Sequence, residues 1–353
     1  MPLFNRRRTG KEERMKEKTA LVTAIGSFSA DCVLETLRRL NYRVVGTDIY
    51  PEEWLPASLK LDAFCRLPPA AEEEDYLFSF RKLLERERPE KILPLIDLEV
   101  DLLNLHREEL ETENGIFCIC GKEEIELLRD KYLLARKVAG SLNELEDSSC
   151  RANVRAIRTE YASELDFEAL SFPLVLKPVN GRSSGGLYRI HNEDELGFSL
   201  SVILREGGEE RLSSYIAQPL IRGRVVTVDI LRDRFGNTAS IPREELLRTP
   251  NGAGLSVRVF RDRNFQRVCE YLAERLNILG CVNFEFIRGE GSGVYYFVEC
   301  NPRFSGGVAF TELSGFPAVE ESLRIFDGER LRTDYPLRCG YFTRKYTECR
   351  MKR

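Results

Sequence analysis

Histidine is almost absent from this chain: of 353 residues only His106 and His191 carry an imidazole. That scarcity argues against an imidazole-rich metal centre and against Ser-His or Cys-His nucleophilic pairs. None of the ten cysteines stands in a C-x-x-C pair, and the tightest spacing is Cys118 with Cys120. Scattered thiols of this kind suit a reducing cytosol. No run approaches the roughly 18 apolar residues of a membrane span, so a soluble, cytoplasmic protein without a membrane partner is expected. An excess of one charge is missing too. With 53 Lys and Arg against 57 Asp and Glu, a net charge of -4 gives no electrostatic basis for nucleic-acid binding. The one concentrated basic run, Arg6-Arg7-Arg8, lies in a polar stretch, residues 1–18, that reads as a disordered charged tail. Glycine is short where a dinucleotide site would need it. The turn GSFSAD, Gly26 to Asp31, has one glycine in place of three, which disfavours NAD and FAD.

What is present reads as an alternating α/β pattern. Thr19 to Ala24 is a short apolar strand. A helix with Val33, Leu34, Leu37 and Leu40 on one stripe follows, then a strand from Arg43 to Thr47. Further strands at Lys91 to Ile96 and Ile116 to Ile119 extend the pattern, predicting an open parallel sheet over residues 19–121. Asp97 and Glu99 follow the strand Lys91 to Ile96, where open sheets bind ligands; capping of the next helix is the alternative. Lys122 to Val138 reads as one helix. Asn264 to Leu279 reads as another, with Phe265, Val268, Leu272, Leu276 and Leu279 on its core stripe.

The most informative stretch is VYYFVECNPRFSGG, Val294 to Gly307. Glu299, Asn301 and Arg303 lie two residues apart, so on a strand they project from one face. Folding this strand onto the preceding one, Gly280 to Gly293, about Ser292 sets Glu285 opposite Glu299 and Asn283 opposite Asn301. Two carboxylates meeting across a hairpin offer the oxygen ligands that magnesium accepts. Upstream, FPLVLKPVNGRSSGGLYRI, Phe172 to Ile190, places Lys177 at a strand end before a Gly/Ser-rich loop. A lysine is a point charge suited to phosphate, and successive loop amides can form an anion-binding concavity.

On these motifs the chain resembles the ATP-grasp superfamily, in the branch similar to half of a carbamoyl-phosphate synthase large subunit. The resemblance runs from about Thr19 to about Phe326. It implies an α/β pre-grasp domain with an open parallel sheet over 19–121, followed by an α+β ATP-grasp fold of two lobes over 122–326. The lid subdomain would span about 140–220, and residues 327–353 would form a C-terminal extension. ATP and magnesium are the implied cofactors, with two ions and manganese as an alternative. The resemblance assigns Glu285, Glu299 and Asn301 as metal ligands, and Lys131 (in the pair Asp130-Lys131) and Lys177 as phosphate ligands. Gly181, Ser183, Ser184, Gly185 and Gly186 belong to a flap over the phosphates. Gln218, Pro219, Leu220 and Ile221 form the adenine-reading hinge. Arg243 and Arg303 are directed at the transferred phosphoryl group, with Arg248 a second candidate beside Arg243. Where family members carry a second ribose-binding glutamate, this chain has Val225, and the segment from Gly140 to Leu170 is longer than usual and lacks the Gly-Ile-Pro pattern.

The implied activity is ADP-forming ligation, in which a substrate carboxylate is phosphorylated and the acyl phosphate is captured by an amine. Partners would be these two small molecules, with a homo-oligomer left open. A carbamoyl-phosphate-synthase-like subunit acting on bicarbonate or carbamate, and a nucleotide-binding regulatory protein with degenerate catalysis, are the alternative readings.

Overall fold

The computed structural model describes residues 18–111, 115–145, 153–166, 170–182, 185–250 and 252–351. The tail read at residues 1–18 lies, but for residue 18, outside the described residues, as do Ser183 and Ser184. Short buried strands alternating with helices build the first sheet from β1 (Thr19–Val22), β2 (Arg43–Asp48), β3 (Ala63–Arg66), β4 (Lys91–Leu93) and β5 (Ile116–Phe117). All are parallel, in the order β3-β2-β1-β4-β5. Three of these strands, β1, β4 and β5, are shorter than the sequence implies, β2 runs one residue further, to Asp48, and β3 has no counterpart in the sequence pattern.

The pattern over Lys122 to Val138 implies one helix; two form, Lys122–Arg129 and Lys131–Glu144. Asp130 separates them in an extended conformation, and its carboxylate accepts the backbone N–H groups of Tyr132 and Leu133. An aspartate in this role is a strong helix start. The cap sets Lys131 on the first turn of the second helix, facing the strand that carries Lys177.

That strand lies in a second, antiparallel sheet. β7 (Glu160–Tyr161), β8 (Leu174–Pro178), β9 (Tyr188–Ile190) and β10 (Tyr215–Pro219) run in the order β7-β10-β8-β9. The third sheet has seven strands. It holds β6 (Val154–Ala156), β11 (Gly223–Arg232), β12 (Thr238–Arg248), β13 (Gly254–Val259), β14 (Gly280–Gly289), β15 (Tyr295–Asn301) and β16 (Gly340–Thr343), ordered β16-β13-β12-β11-β14-β15-β6. Residues 215–231, continuous as a sequence motif, therefore divide between two sheets, turning at residues 220–222. The segment beyond residue 326 supplies β16, the edge strand paired with β13.

In the β14–β15 hairpin Glu285 stands opposite Glu299 and Asn283 opposite Asn301. A bulge then shifts the register so that Phe286 meets Phe297. Behind this hairpin lies helix Arg263–Arg275, started by Asp262, which accepts the Phe265 N–H. Phe265 stacks on Tyr295 at 3.9 Å between ring centroids and meets Phe286 edge-on at 4.9 Å. Val268, Leu272 and Leu276 are buried beside it. The helix ends earlier than the sequence implies, and Gly280 opens β14 at a φ of +82, where a Cβ would lie 2.6 Å from the Phe326 ring. Among the described residues no helix is long and apolar enough to cross a membrane.

Candidate active site

The three sheets converge on a cleft of about 610 Å³. Lys131, Lys177, Gly181 and Gly185 line it from the side of the second sheet; Glu285, Glu299, Asn301 and Arg303 line it from the large sheet. Gly26, Ser27, Phe28, Ser29 and Asp97 close it from the first sheet's carboxyl edge.

The two lysines are buried in this cleft. Lys131 Nζ donates to the Gly181 carbonyl at 2.6 Å and lies 3.7 Å from Glu299 Oε2. Burial pushes the Lys177 ammonium down to about 8; the Glu299 charge opposes this and Lys131 reinforces it. Burial lowers Lys131 as well, again against Glu299. Two ammonium groups this poor in water favour an anion that can replace it.

Removal from water pushes the Glu285 carboxyl up to about 7. Arg248 opposes the shift through an ion pair of 2.8 Å, while Glu299 and Glu245 add to it. Asn301 Nδ2 donates to Asn283 Oδ1 at 3.3 Å and to Glu299 Oε1 at 3.4 Å, which leaves its side-chain oxygen, Oδ1, without a donor among the described residues. Carboxylate and amide oxygens gathered around two carboxylates in mutual repulsion fit a hard divalent cation.

The arginines are more heavily engaged than their sequence context suggests. Arg243 is fully buried, bonded to Asp229 at 2.8 Å, Glu245 at 3.1 Å and Ser305 at 2.9 Å. A Cβ on Gly307 would come within 2.8 Å of Arg243 Nε, so glycine there lets the 305–307 turn close onto the guanidinium. Arg303 forks onto Asp97 at 2.9 and 2.7 Å. Asp97 also lies 3.6 Å from Arg129, and Arg129 and Arg182 both pair with Asp101.

Gly186, Gln218, Pro219, Leu220 and Ile221 do not line this cleft. Gln218 is buried and donates to Thr159 Oγ1 at 2.8 Å. Asp97 and Glu99, alike in sequence, separate: Asp97 faces the cleft, whereas Glu99 is buried under hydrogen bonds from Thr23 and Tyr76. Neither caps the helix Asp97–Leu105 through its side chain.

Two residues escaped the sequence reading. Glu245 lines the cleft beside Arg243, and its Oε2 is buried without a hydrogen-bond partner among the described residues. Arg344, beyond β16, donates to the carbonyls of Gly254 (2.9 Å), Phe28 (3.4 Å) and Gly306, tying together three loops that line the cleft. An acidic pair in a strand and a lone arginine in a tail carry no local signal of such roles.

The profile of a family described as "ATP-grasp in the biosynthetic pathway with Ter operon" matches residues 211–346. The carbamoyl phosphate synthase large chain of Clostridium perfringens is 29% identical over 190 residues, 51% of this chain. The chain spans only 17% of that relative's length. In three dimensions, the biotin carboxylase domain dimer of Hydrogenobacter thermophilus 2-oxoglutarate carboxylase, in complex with MgADP, ADP and bicarbonate, superposes with a TM-score of 0.73 at 19% identity. That match covers 91% of this chain and 73% of the other. An L-amino acid ligase from Bacillus licheniformis gives 0.64 at 17% identity, covering 90% and 78%. The profile, the distant sequence similarity and the shared architecture agree on an ATP-grasp fold, and the chain is similar to ATP-grasp proteins, distantly so to the carbamoyl phosphate synthase large chain and biotin carboxylase.

Proposed function

We propose that this chain is an ATP-dependent ligase that activates a small-molecule carboxylate as an acyl phosphate and passes the acyl group to an amine. The observation that carries this reading is the convergence, in one cleft, of two water-poor lysines with a carboxylate pair and an amide. Lys131 and Lys177 would hold the nucleotide phosphates beneath the flap formed by Gly181, Ser183, Ser184, Gly185 and Gly186. Glu285, Glu299 and Asn301 would hold magnesium, two ions or manganese in its place, which supplies charge neutralisation at the phosphates. The base would lie at the margin of the cleft, toward the turn between two sheets at Gln218 to Ile221, which stands outside the cleft lining.

A substrate carboxylate oxygen then attacks the γ-phosphorus. An acyl O–P bond forms, the bond to the β–γ bridging oxygen breaks, and ADP leaves. The amine attacks the acyl carbon, a C–N bond forms and inorganic phosphate departs. No protein nucleophile is needed, in keeping with the scarcity of histidine. Arg303 and Arg243 act near the transferred group, Arg303 oriented by Asp97 and Arg243 held among Asp229, Glu245 and Ser305. The L-amino acid ligase among the structural neighbours supports carboxylate–amine chemistry.

Bicarbonate or carbamate as the activated acid is the second reading. The similarity to carbamoyl phosphate synthase favours it, as does the bicarbonate complex among the neighbours. That neighbour is described as a dimer, which supports a homo-oligomer here. Incubation with magnesium-ATP and a panel of acids and amines, scoring ADP release and hydroxamate formation with hydroxylamine, tests both readings. Hydroxamate from an organic acid supports the first, and bicarbonate-dependent ADP release without hydroxamate the second. AMP and pyrophosphate as products would overturn both.

A further inference from the structure

A second cavity, of about 290 Å³, opens at the other end of β12, away from the cleft. It lies between the start of that strand, the start of helix Arg263–Arg275 and the segment 333–337. Charge of one sign gathers there: Arg261, Arg263 and Arg267 line it against a single carboxylate, Glu270. Glu270 accepts from Ser240 Oγ at 2.8 Å, and burial raises its carboxyl above the ordinary value against that hydrogen bond and the Arg267 charge. Arg263 makes no hydrogen bond or ion pair among the described residues, and Arg261 donates only to the Leu337 carbonyl, at 3.4 Å.

The facing wall is aromatic and rigid. Phe316 and Tyr335 meet edge to face with centroids 5.4 Å apart. The Tyr335 hydroxyl donates to the fully buried Glu321 carboxylate at 2.8 Å, and Arg332 Nε holds the same oxygen. Uncommitted guanidinium groups opposite a fixed aromatic wall suit an anion that carries a flat apolar body. The volume falls at the lower end of small-molecule sites.

We propose that this cavity binds a small organic phosphate, with the phosphate on Arg263 and Arg267 and the ring against Tyr335 and Phe316. Guanidinium groups match phosphate oxygens in a two-point geometry, and the aromatic wall excludes water from one side of the ring. This inference stands apart from the ligase reading, since it uses none of the cleft residues.

Calorimetric titration of phenyl phosphate into the full chain tests it, with wild type, Lys177→Met and the double variant Arg263→Ala/Arg267→Ala compared. Wild type and Lys177→Met should bind alike, and the double variant should bind at least about tenfold more weakly, the scale of losing a charge-assisted hydrogen bond. Both arginines are exposed, so the double variant should keep its melting temperature. Inorganic phosphate should bind more weakly than phenyl phosphate. Binding lost in Lys177→Met but kept in the double variant would assign the ligand to the cleft and overturn the proposal. So would an equal affinity for inorganic phosphate, or no binding to wild type.

Discussion

Arg303 and Asp97, 206 positions apart in the chain, form a two-point ion pair of 2.9 and 2.7 Å at the wall of the cleft. It bolts the turn after β15 to the first helix beyond β4, so the first sheet sets the orientation of an arginine that lines the cleft. Asp97 draws its carboxyl below the ordinary range in spite of burial, through Arg303, Arg129 and Arg182.

Asp97→Ala should therefore lower stability by about 2–3 kcal/mol, because a largely buried guanidinium is left uncompensated. Urea unfolding of Asp97→Ala, Arg303→Ala and the double variant measures it. We expect a coupling of at least about 1 kcal/mol; strictly additive losses would show that the fork contributes no energy of its own.

Glu299→Gln separates catalysis from folding. It keeps the shape but removes a formal charge from the carboxylate pair, so ADP formation should fall at least about a hundredfold, as when one electrostatic contact is lost from an active site. Thermal unfolding should change little, or rise as repulsion with Glu285 is relieved. Unchanged ADP production in the variant would sink the ligase reading.

Lys177 gives a pH dependence. Its folded pKa of about 8 lies below the unfolded value of 10.5, so the unfolded chain holds the extra proton between the two and stability contributed by this site rises with pH across that window. The penalty is fully present below pH 8. Lys177→Met should thus exceed wild type in stability at pH 7 by more than it does at pH 10. Above pH 8, nucleotide binding should take up a proton at Lys177, seen as a binding enthalpy that varies with the ionisation enthalpy of the buffer.

Glu99 behaves in the opposite sense. Burial pushes its carboxyl up to about 7 against hydrogen bonds from Thr23 and Tyr76. The folded state then holds a proton that the unfolded chain releases between pH 4.5 and 7, and the stability this contributes is lost as pH rises through 7. Between pH 5 and pH 8, Glu99→Gln should gain on wild type by on the order of 2 kcal/mol. Denaturation midpoints at the two pH values decide it.

The sequence by itself determined what local periodicity can determine. Alternation dictated a shared face for Glu299 and Asn301, with Arg303 reaching the same cleft from the turn beyond the strand, and hairpin symmetry dictated that Glu285 meets Glu299. The βαβ spacing implied the parallel sheet. Even the Asp130-Lys131 pair held its own explanation, since an aspartate before a helical run is a cap, although it was read as part of one helix. Only tertiary structure decided which charges are committed. Arg243 and Arg303 look equally free in sequence, yet their partners Asp229 and Asp97 stand on other elements. Asp97 and Glu99 look equivalent, yet one faces the cleft and the other the core. Arg344 gives no sign in its tail of the three loops it joins. Covalent geometry fixes the face from which a side chain leaves its own element, whereas the group it meets there depends on how distant elements pack, which no local pattern encodes.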